Sequence, residues 1–580
     1  MTPPGGPMMD RRGASRALEQ IASLLEFKGE NAFRVRAFRA AGRALAAIPK
    51  DLQAALADGT VAATRGIGPA TLQIIEELAR TGHSRMLDAL RKEVPPGLVE
   101  MSRISGLGAQ RIRQVHKLLG IDSLPELEAA ARDGRLARLP RFGPRTAENI
   151  LKSIQFLRRA QGLRLRHHGE QEAQALASAL RQVPGIIEVL IAGDVRRAME
   201  VVQEVVIVVV SDVPPASLFR TLSDLPGVDE FAGRDERQVT LHFAGGSAIQ
   251  VIATPPVNAG AVLVEATGSE AHLKKLEARA RERGMTLTGA ALWRGSVFVP
   301  TPDEPALYAQ LGLAWIPPEL REGMGEIALA AEDALPALIT DADLRGFLHC
   351  HTGYSDGTST IRDLAVTAQA QGYEWIGITD HSQAAAYAGG LSPAALQRQA
   401  DEIDALNEEL NGIRILKGIE ADILKDGRID YDARVLDRLD FVIASIHNRF
   451  SLDRNAMTAR MLAALEDPHV TIIGHPTGRL LLSREPYELD MDAVLARAAE
   501  RGVAMEINAD PHRLDLDWRD LPRASDFGTM IAIGADAHSV AGIGNMRWGV
   551  GSARKGGIGP AQVVNTMSAE GFLTFARKEA

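Results

Sequence analysis

The spacing of apolar residues divides the chain into three parts. In residues 14–165 apolar side chains recur at a helical period of about 3.6, most clearly over 15–27 and 33–45. The middle of the chain changes to short apolar runs with strand character, such as 205–210. Residues 343–575 alternate short apolar runs with helical stretches. The pattern therefore predicts an all-α region, then an α+β domain, then an α/β domain.

Seven apolar runs in the last part predict parallel strands. They cover residues 346–351, 375–381, 413–420, 441–447, 470–475, 503–508 and 530–538. Helices between them are predicted at 359–371, 393–410, 455–465 and 490–501. A strand followed by a helix, repeated, builds a parallel sheet, so a domain of this length is expected to curl into a barrel.

Histidines and carboxylates occur where these runs end. The nine candidates are His349, His351, Asp356, His381, Glu420, His447, His475, Asp536 and His538. The carboxyl ends of parallel barrel strands meet at one mouth, so these side chains are expected to converge. One histidine at a strand end usually has a structural role, but so many converging polar groups would be strongly destabilising without a partner. Metal ions are the natural partners, because imidazole and carboxylate groups are their ligands.

Three similar turns precede helical stretches in the first part. Their key residues are Gly66 and Gly68, Gly106 and Gly108, and Arg141 and Gly143, the last pair followed by Arg145. Glycine lets the backbone take a positive φ and approach a ligand closely, and the amino end of the next helix suits a phosphate. Arg141 stands where the first glycine of the third turn is expected. That turn either contacts phosphate by charge or is only structural.

The charge of the chain is unevenly distributed. The net charge of −9, taken alone, argues against nucleic-acid binding. Residues 1–168, however, carry 28 basic against 16 acidic residues, which is +12 and leaves −21 for the remainder. Eight of the 14 histidines lie between His349 and His538. A basic front and an acidic, histidine-rich back indicate two separate tasks on one chain.

The composition excludes several classes of protein. Cys350 is the only cysteine, which excludes a disulfide framework and a cysteine-based zinc finger. Residues 1–10 lack an apolar export signal, and no apolar run is long enough to span a bilayer. We therefore expect a cytoplasmic protein that does not enter membranes.

The front and the middle of the chain, residues 14–325, resemble the family X DNA polymerases. The three turns resemble helix-hairpin-helix motifs, and Thr267-Gly268-Ser269 with residues 315–321 resembles the family's thumb. The resemblance implies a disordered tail at 1–13, an all-α helix-hairpin-helix region at 14–165, an α+β nucleotidyltransferase palm at 170–258, a thumb at 259–325 and a linker at 326–342. It also implies DNA binding through phosphates, without sequence specificity.

The palm departs from the family where the family's chemistry lies. Family members hold two metal ions on three aspartates, beside a serine that faces the triphosphate and a Tyr-Phe pair that lines the sugar. In this chain the three aspartate positions are Glu204, Val206 and Gln250. The serine position is Asp194, and the Tyr-Phe pair is replaced by Glu265 and Ala266. One remaining carboxylate cannot hold two divalent cations well, so the resemblance implies a folded palm that has lost polymerase activity. The alternative is that Asp194 and Glu200 rebuild a metal site.

The last part, residues 345–566, resembles the polymerase and histidinol phosphatase (PHP) domain. This implies a distorted (β/α)7 barrel over 343–580 that holds two to three divalent ions, with Mn, Zn and Fe left open, and a metal-bound water as nucleophile. By resemblance His349, His351, Glu420 and Asp536 hold one ion, Glu420, His447 and His475 a second, and Asp356, His381 and His538 a third. Arg479, His512 and Arg513 are candidate substrate contacts.

The order of the parts resembles bacterial family X polymerases with a C-terminal PHP domain. It implies a monomeric, DNA-binding, metal-dependent 3′–5′ exonuclease that acts on gapped DNA or 3′ ends in DNA repair. Three alternatives remain: an active gap-filling polymerase, a small-molecule phosphatase of the histidinol-phosphate type, and a non-catalytic DNA-end scaffold with structural metals.

Overall fold

A computed structural model describes residues 9–48, 50–102, 104, 107–233, 235–243 and 246–578 of the 580. The chain separates into two compact units, Met1–Gln161 and Gly162–Ala580. The boundary predicted after residue 165 therefore lies slightly late. The reason is that Arg164 and Leu165 pair as a short strand with Val202 and Val201 of the second unit.

The first unit is all-α, as its helical period predicts. Its described residues form a 3₁₀ turn at Leu136–Arg138 and ten α-helices, α1 to α10: Arg11–Lys28, Ala32–Ala47, Leu52–Ala57, Thr60–Ala63, Pro69–Thr81, Arg85–Glu93, Pro96–Met101, Ala109–Leu119, Leu124–Arg132 and Pro144–Ala160. The predicted tail of 1–13 is too long, because the Asp10 side chain caps α1 by accepting a hydrogen bond from the Gly13 amide. The apolar faces of these helices form one core.

The second unit begins with a five-stranded sheet. Its elements are β1 (Arg164–Leu165), α11 (Arg166–Leu180), β2 (Ile186–Ala192), α12 (Gly193–Arg196), β3 (Val201–Val202), β4 (Val205–Ser211), α13 (Pro215–Ser223), β5 (Val228–Gly233), β6 (Gln238–Phe243) and β7 (Ala248–Thr254). The order is β2-β4-β7-β6-β5. Strand β4 is buried along its whole length because an apolar cluster packs on each of its faces, with Val205, Ile207 and Val209 in one and Val206 and Val208 in the other, which explains its unbroken aliphatic run.

A helical region with a small antiparallel sheet follows. It contains α14 (Ala259–Thr267), α15 (Glu270–Glu282), β8 (Thr286–Thr288), β9 (Ala291–Arg294), β10 (Val297–Val299), α16 (Glu304–Gln310) and α17 (Glu326–Ala331), with 3₁₀ turns at Pro256–Asn258 and Pro318–Leu320. Helix α17 lies where a linker was predicted at 326–342. It belongs to this region because the Glu326 carboxylate bonds the buried His272 ring at 2.6 Å.

The last region is a barrel-like parallel sheet. Its strands are β11 (Gly346–Cys350), β12 (Trp375–Ile378), β13 (Arg414–Lys417), β14 (Glu420–Asp422), β15 (Val442–Ser445), β16 (Val470–Ile473), β17 (Ala504–Asn508) and β18 (Ile531–Ala537). Its helices are α18 (Ile361–Ala370), α19 (Pro393–Glu409), α20 (Ala433–Leu436), α21 (Arg454–Leu465), α22 (Met491–Arg501), α23 (Leu521–Phe527), α24 (Met546–Lys555) and α25 (Ala569–Ala576). Short 3₁₀ turns lie at Asp341–Asp343, Ala386–Ala388, Val540–Asn545, Pro560–Gln562 and Val564–Thr566.

The run predicted as a single strand at 413–420 forms two strands. The sheet order is β13-β12-β11-β18-β17-β16-β15-β14, so its first and last strands are neighbouring segments of the chain. Between them the Gly418 amide bonds the Ile378 carbonyl on one side, and the Ile419 carbonyl accepts from the Ile443 amide on the other. A Cβ at Gly418 would lie 2.4 Å from the Phe441 ring, so only glycine fits this seam. The two edges of the sheet therefore meet here, which gives the expected distorted barrel.

Buried ion pairs join the barrel to the regions before it. The Lys555 side chain of α24 is fully buried and bonds the Glu322 carboxylate at 2.5 Å and the Arg197 carbonyl at 3.1 Å. The Glu200 carboxylate accepts from Arg519 at 2.6 Å and from the Trp518 indole at 3.0 Å. These contacts hold the five-stranded sheet against the barrel. Among the described residues, no helix is long and apolar enough to cross a membrane.

Glu304 is the buried charge on which the helical region depends. Its carboxylate binds Arg321 through two bonds at 2.6 and 2.8 Å and Arg196 through two at 2.6 and 2.9 Å. Burial alone would raise the pKa of Glu304, but the hydrogen bonds from Arg321 and then Arg196 outweigh it and lower the pKa to about 2. The carboxylate is therefore ionised throughout the neutral range.

We predict that Glu304→Gln lowers the free energy of unfolding by about 3–5 kcal/mol at pH 7, because Arg321 is left as a buried unpaired charge. Because the folded pKa is depressed, the wild-type advantage exists above the ordinary pKa of 4.5 and is lost as the pH falls towards about 2. Urea titrations at several pH values measure it. Glu282→Gln, at an exposed pair with Arg279, is the control. A loss no larger than the control's, or one independent of pH, would contradict the prediction.

Candidate metal centre

The structure brings all the predicted ligand residues to the carboxyl end of the barrel strands. Among the residues that the structure describes, three groups of side chains have ligand atoms within 4.8 Å of one another. The groups are His349, His351 and Asp536; His381, Glu420 and His447; and His351, Asp356, His381 and His538. His351 and His381 belong to two groups each, so the groups form one continuous cluster.

Glu420 lies at the centre of this cluster. It is almost fully buried, and imidazole nitrogens approach its carboxylate from four directions: His381 Nδ1 and His475 Nε2 at 2.9 Å, His447 Nε2 at 3.2 Å and His349 Nε2 at 3.4 Å. Burial by itself would raise the pKa of Glu420, but the surrounding imidazoles, His447 foremost, hold the pKa well below its usual range. The carboxylate is thus a permanent buried charge.

The backbone is bent at three of the candidate ligands. His349, His475 and Asp536 take positive φ values of 59°, 26° and 51°, which residues other than glycine rarely adopt. The pairing of β11 with β18 shifts register between Leu348 and Cys350, around His349. Such irregularities re-aim side chains and are held in place only by the surrounding structure. Here they turn the ligand side chains towards the cluster.

The chemistry of the cluster fits divalent cations. Several buried side-chain atoms in it have no hydrogen-bond partner among the described residues: His349 Nε2, both ring nitrogens of His351, His381 Nδ1, Glu420 Oε2 and His475 Nδ1. Each such atom costs about 1–3 kcal/mol if nothing binds it. Imidazole nitrogens together with carboxylate oxygens suit Zn, Mn and Fe alike. The cluster therefore has the composition and the unsatisfied atoms of a metal site.

Three buried carboxylates behind the cluster were not identified in the sequence analysis. Glu506 accepts from His349 Nδ1 and, at 2.6 Å, from the His475 amide. Asp422 accepts from His447 Nδ1 at 2.6 Å. Asp380 accepts from the Thr352 amide and hydroxyl, and so fixes the loop that carries Asp356. Such partners set the orientation of metal-binding side chains. The available signal was spacing: Glu506 and Asp422 each lie two residues from a polar strand end.

The three candidate substrate contacts differ in position. Arg513 Nε lies 3.4 Å from Asp536 Oδ2, at the edge of the cluster. His512 is exposed, and its Nδ1 bonds Asp510 at 2.9 Å. Arg479 is buried, and its guanidinium binds Asp517 and the carbonyls of residues 513 and 514. The geometry therefore does not support Arg479 as a substrate contact, because it is fully engaged in holding the Arg513 loop.

The hairpin turns of the first unit leave helix ends open. Gly68, Gly108 and Gly143 directly precede α5, α8 and α10, and a Cβ on any of them would meet nothing within 4 Å. Gly66 takes a φ of 100°, and Arg141 takes a φ of 66° at the matching place in its turn. Arg145 is exposed in the first turn of α10, and Gly106 lies outside the described residues. Arg141 thus adopts the backbone conformation for which glycine was expected.

The palm positions contain few free carboxylates. Val206 is buried between Ala192 and Gln250, whose amide bonds Gln238. Asp194 binds Arg197 at 2.6 Å, and burial raises the pKa of Glu265. Ala266 packs on the apolar core beside the sheet. Among the described residues, every group of candidate metal ligands lies between His349 and His538.

We predict that Glu506→Gln weakens metal binding about 10- to 100-fold, because the His349 ring and the His475 backbone lose the carboxylate that orients them. Metal content after dialysis against graded chelator measures the affinity. Glu500→Gln, on the exposed side of α22 beside Arg497, is the matched control. An affinity equal to the control's would show that Glu506 does not support the site.

Comparisons with known proteins agree with this arrangement. Family models match as a helix-hairpin-helix domain at 9–84, a SAM-like helix-hairpin-helix tandem at 98–155, a DNA polymerase beta thumb at 262–322 and a PHP domain at 348–510. Over 234 residues the chain is 30% identical to a probable phosphatase of Syntrophotalea carbinolica, a match that covers 38% of this chain and 90% of that protein. The chain is also 35% identical over 579 residues to the DNA polymerase/3′-5′ exonuclease PolX of Bacillus subtilis, covering 98% of this chain and 100% of the relative. It therefore belongs to the PolX family, the family X polymerases that carry a C-terminal PHP domain.

Proposed function

We propose that this chain is a DNA-binding, metal-dependent 3′–5′ exonuclease that acts in DNA repair through its barrel. The observation that carries the proposal is the buried cluster around Glu420, with its unpartnered imidazole nitrogens and carboxylate oxygen. The relative in Bacillus subtilis, which matches along nearly the whole chain, carries both polymerase and exonuclease in its name. We further propose that the chain works as a cytoplasmic monomer.

The nine residues of the cluster would hold two to three divalent ions, Mn, Zn or Fe. We keep the expected division, with Glu420 shared between the ion at His349, His351 and Asp536 and the ion at His447 and His475, and with a third ion at Asp356, His381 and His538. When bound, such ions polarise a phosphodiester and activate water for attack on it. The buried charge of Glu420 favours retention of these ions, because a buried carboxylate is costly unless it is paired with a cation or coordinates a metal.

The chain itself supplies the positioning of the substrate. Arg513 lies beside Asp536 at the edge of the cluster, where its guanidinium can bind the non-bridging oxygens of the phosphodiester. Arg479 holds the Arg513 loop in place by donating a hydrogen bond from its Nε to the Arg513 carbonyl at 2.9 Å. Hydrolysis then breaks the bond between phosphorus and the 3′ oxygen of the preceding nucleotide. The water oxygen joins the phosphorus, and the 3′ oxygen leaves with a proton.

The basic first unit would hold the DNA. Its three turns offer open helix amino ends to phosphates, and Arg141 and Arg145 add charge at the third turn. Contacts of this kind bind backbone and carry no sequence information. We therefore propose that the unit binds DNA ends or gaps without sequence preference. A phosphatase acting on small molecules would have no use for a segment of net charge +12.

We propose that polymerase activity is lost in the palm. Val206 and Gln250 supply no carboxylate, and Asp194 is paired with Arg197. The two arginines that follow Asp194 are engaged within the chain: Arg196 with Glu304, and Arg197 with Asp194 and Glu322. Glu200, the second carboxylate of the alternative metal site, is bound by Arg519 at 2.6 Å. An active gap-filling polymerase is the alternative, and the name of the Bacillus relative favours testing it.

A labelled-DNA assay tests the nuclease. With Mn²⁺, a 5′-labelled oligonucleotide is expected to shorten from its 3′ end, and His349→Ala and Asp536→Ala to slow this at least about 100-fold, since each removes a candidate ligand. His469→Ala is the control, because this late histidine lies outside the cluster and pairs with Asp467 and Asp437. Unchanged degradation in both cluster variants would rule out the proposed site. On gapped DNA with dNTPs, templated extension that Glu204→Gln abolishes would contradict the loss of polymerase activity.

DNA binding and stability are expected to respond differently to Arg141→Gly. The substitution removes a cation from the third turn, so affinity falls and the slope of log affinity against log salt decreases by about 1. The free energy of unfolding does not fall, because glycine adopts the positive φ of this position without strain. Binding isotherms at several salt concentrations and a urea titration measure the two effects. Arg414→Ala, an exposed barrel residue paired with Glu570, is the control. An unchanged salt slope would contradict the contact.

A further inference from the structure

Tyr387 presents an exposed aromatic ring beside the metal cluster. Its side chain is 72% exposed, the second most exposed of the large hydrophobic side chains described. The ring centroid lies 6.2 Å from that of His381 and 6.4 Å from that of His447. Both of these imidazoles contact the Glu420 carboxylate, at 2.9 Å from His381 and 3.2 Å from His447. The tyrosine therefore stands at the mouth of the cluster, on its solvent side.

The loop that carries Tyr387 is firmly attached. Ala385 and Ala388, on either side of the ring, are buried. The Ala384 amide bonds the Asp430 carboxylate at 2.9 Å, and the Leu391 amide bonds the His381 carbonyl at 2.8 Å. Because its flanks are fixed to the barrel, the ring is held out by the fold and is not the tip of a loose loop.

An exposed aromatic ring beside a candidate metal cluster suits a ligand that has both an anionic group and a flat ring. Exposed side chains of this size gain little by packing, and rings next to binding sites often serve as recognition surfaces. A nucleotide offers both required parts, an anionic phosphate for the metal cluster and a flat base one sugar away. Bases stack on aromatic side chains whatever their identity, because every base has a π-face. A sequence-independent nuclease needs this kind of contact.

We propose that Tyr387 forms the nucleoside subsite of the barrel, stacking on the base of the 3′-terminal nucleotide whose phosphate lies in the cluster. The proposal rests on the proposed exonuclease function and names the part of the substrate that the metal centre itself does not recognise. Tyr387 acts on substrate binding and not on the bond that breaks.

Steady-state kinetics of the full chain with Mn²⁺ test the proposal. Tyr387→Ala is expected to raise KM for single-stranded DNA about 10- to 100-fold with a smaller change in kcat, and Tyr387→Phe to remain close to wild type, because phenylalanine retains the stacking face. Removal of a 3′-terminal abasic residue, which offers no ring to stack on, is expected to proceed at the same rate in wild type and in both variants. Phe527→Ala removes another exposed aromatic ring, ahead of β18 and so at the other end of the barrel, and is the control.

A fluorescent base gives a binding readout. An oligonucleotide with 2-aminopurine at its 3′ terminus and a phosphorothioate at the last linkage should be quenched by wild type and by Tyr387→Phe, but not by Tyr387→Ala. A KM for Tyr387→Ala equal to wild type, with quenching retained, would overturn the subsite. Slower removal of a 3′-terminal abasic residue by Tyr387→Ala than by wild type, or loss of bound metal in Tyr387→Ala, would also overturn it, since the ring would then support the cluster. Absence of DNA degradation by the wild type itself would instead refute the proposed function.

Discussion

The structure depends on one buried negative charge, the Glu420 carboxylate, surrounded by imidazoles. A carboxylate this deep in a protein is costly unless cations or hydrogen-bond donors compensate it. The barrel meets this condition through its closure, because the seam at Gly418 brings both edges of the sheet together. This closure places Glu420, at the start of β14, beside the histidines that follow the other strands. Glu506 and Asp422 then hold the outer nitrogens of two imidazoles, so that their inner nitrogens face the cluster. The need to compensate the Glu420 charge therefore links the closure of the barrel to the arrangement of the imidazoles.

The palm and the barrel show opposite uses of charge. In the palm, acidic and basic groups neutralise one another: Arg197 lies between Asp194 and Glu322, and Lys555 of the barrel joins the same network. Such pairs fix structure but leave no charge for a ligand. In the barrel, acids and imidazoles converge with unsatisfied atoms facing one another. This contrast is the basis of our proposal that the palm now serves as a support while the chemistry lies in the PHP domain.

The sequence predicts which side chains converge at the barrel mouth, because strand ends are visible in it: an apolar run followed by a histidine or an acid marks such an end. It does not reveal the divided strand at 413–420, since closure depends on contacts of Gly418 with Phe441 and Ile378, which are distant in the chain. The contacts of Glu506 with His349 and His475 cannot be predicted from the sequence, because a single acid within an apolar run gives no sign of its partners. Arg479 illustrates the opposite error, because sequence cannot show that the loop of residues 513–514 would occupy its guanidinium.

Anomalous diffraction from crystals grown with Mn²⁺ tests the central claim most directly, since it locates ions in palm and barrel in one experiment. The account predicts manganese peaks on both sides of Glu420, within bonding distance of the surrounding histidines, and no peak beside Glu204 and Gln250 in the palm. A peak in the palm between Asp194 and Glu204, or a barrel cluster without any anomalous metal peak, would contradict it.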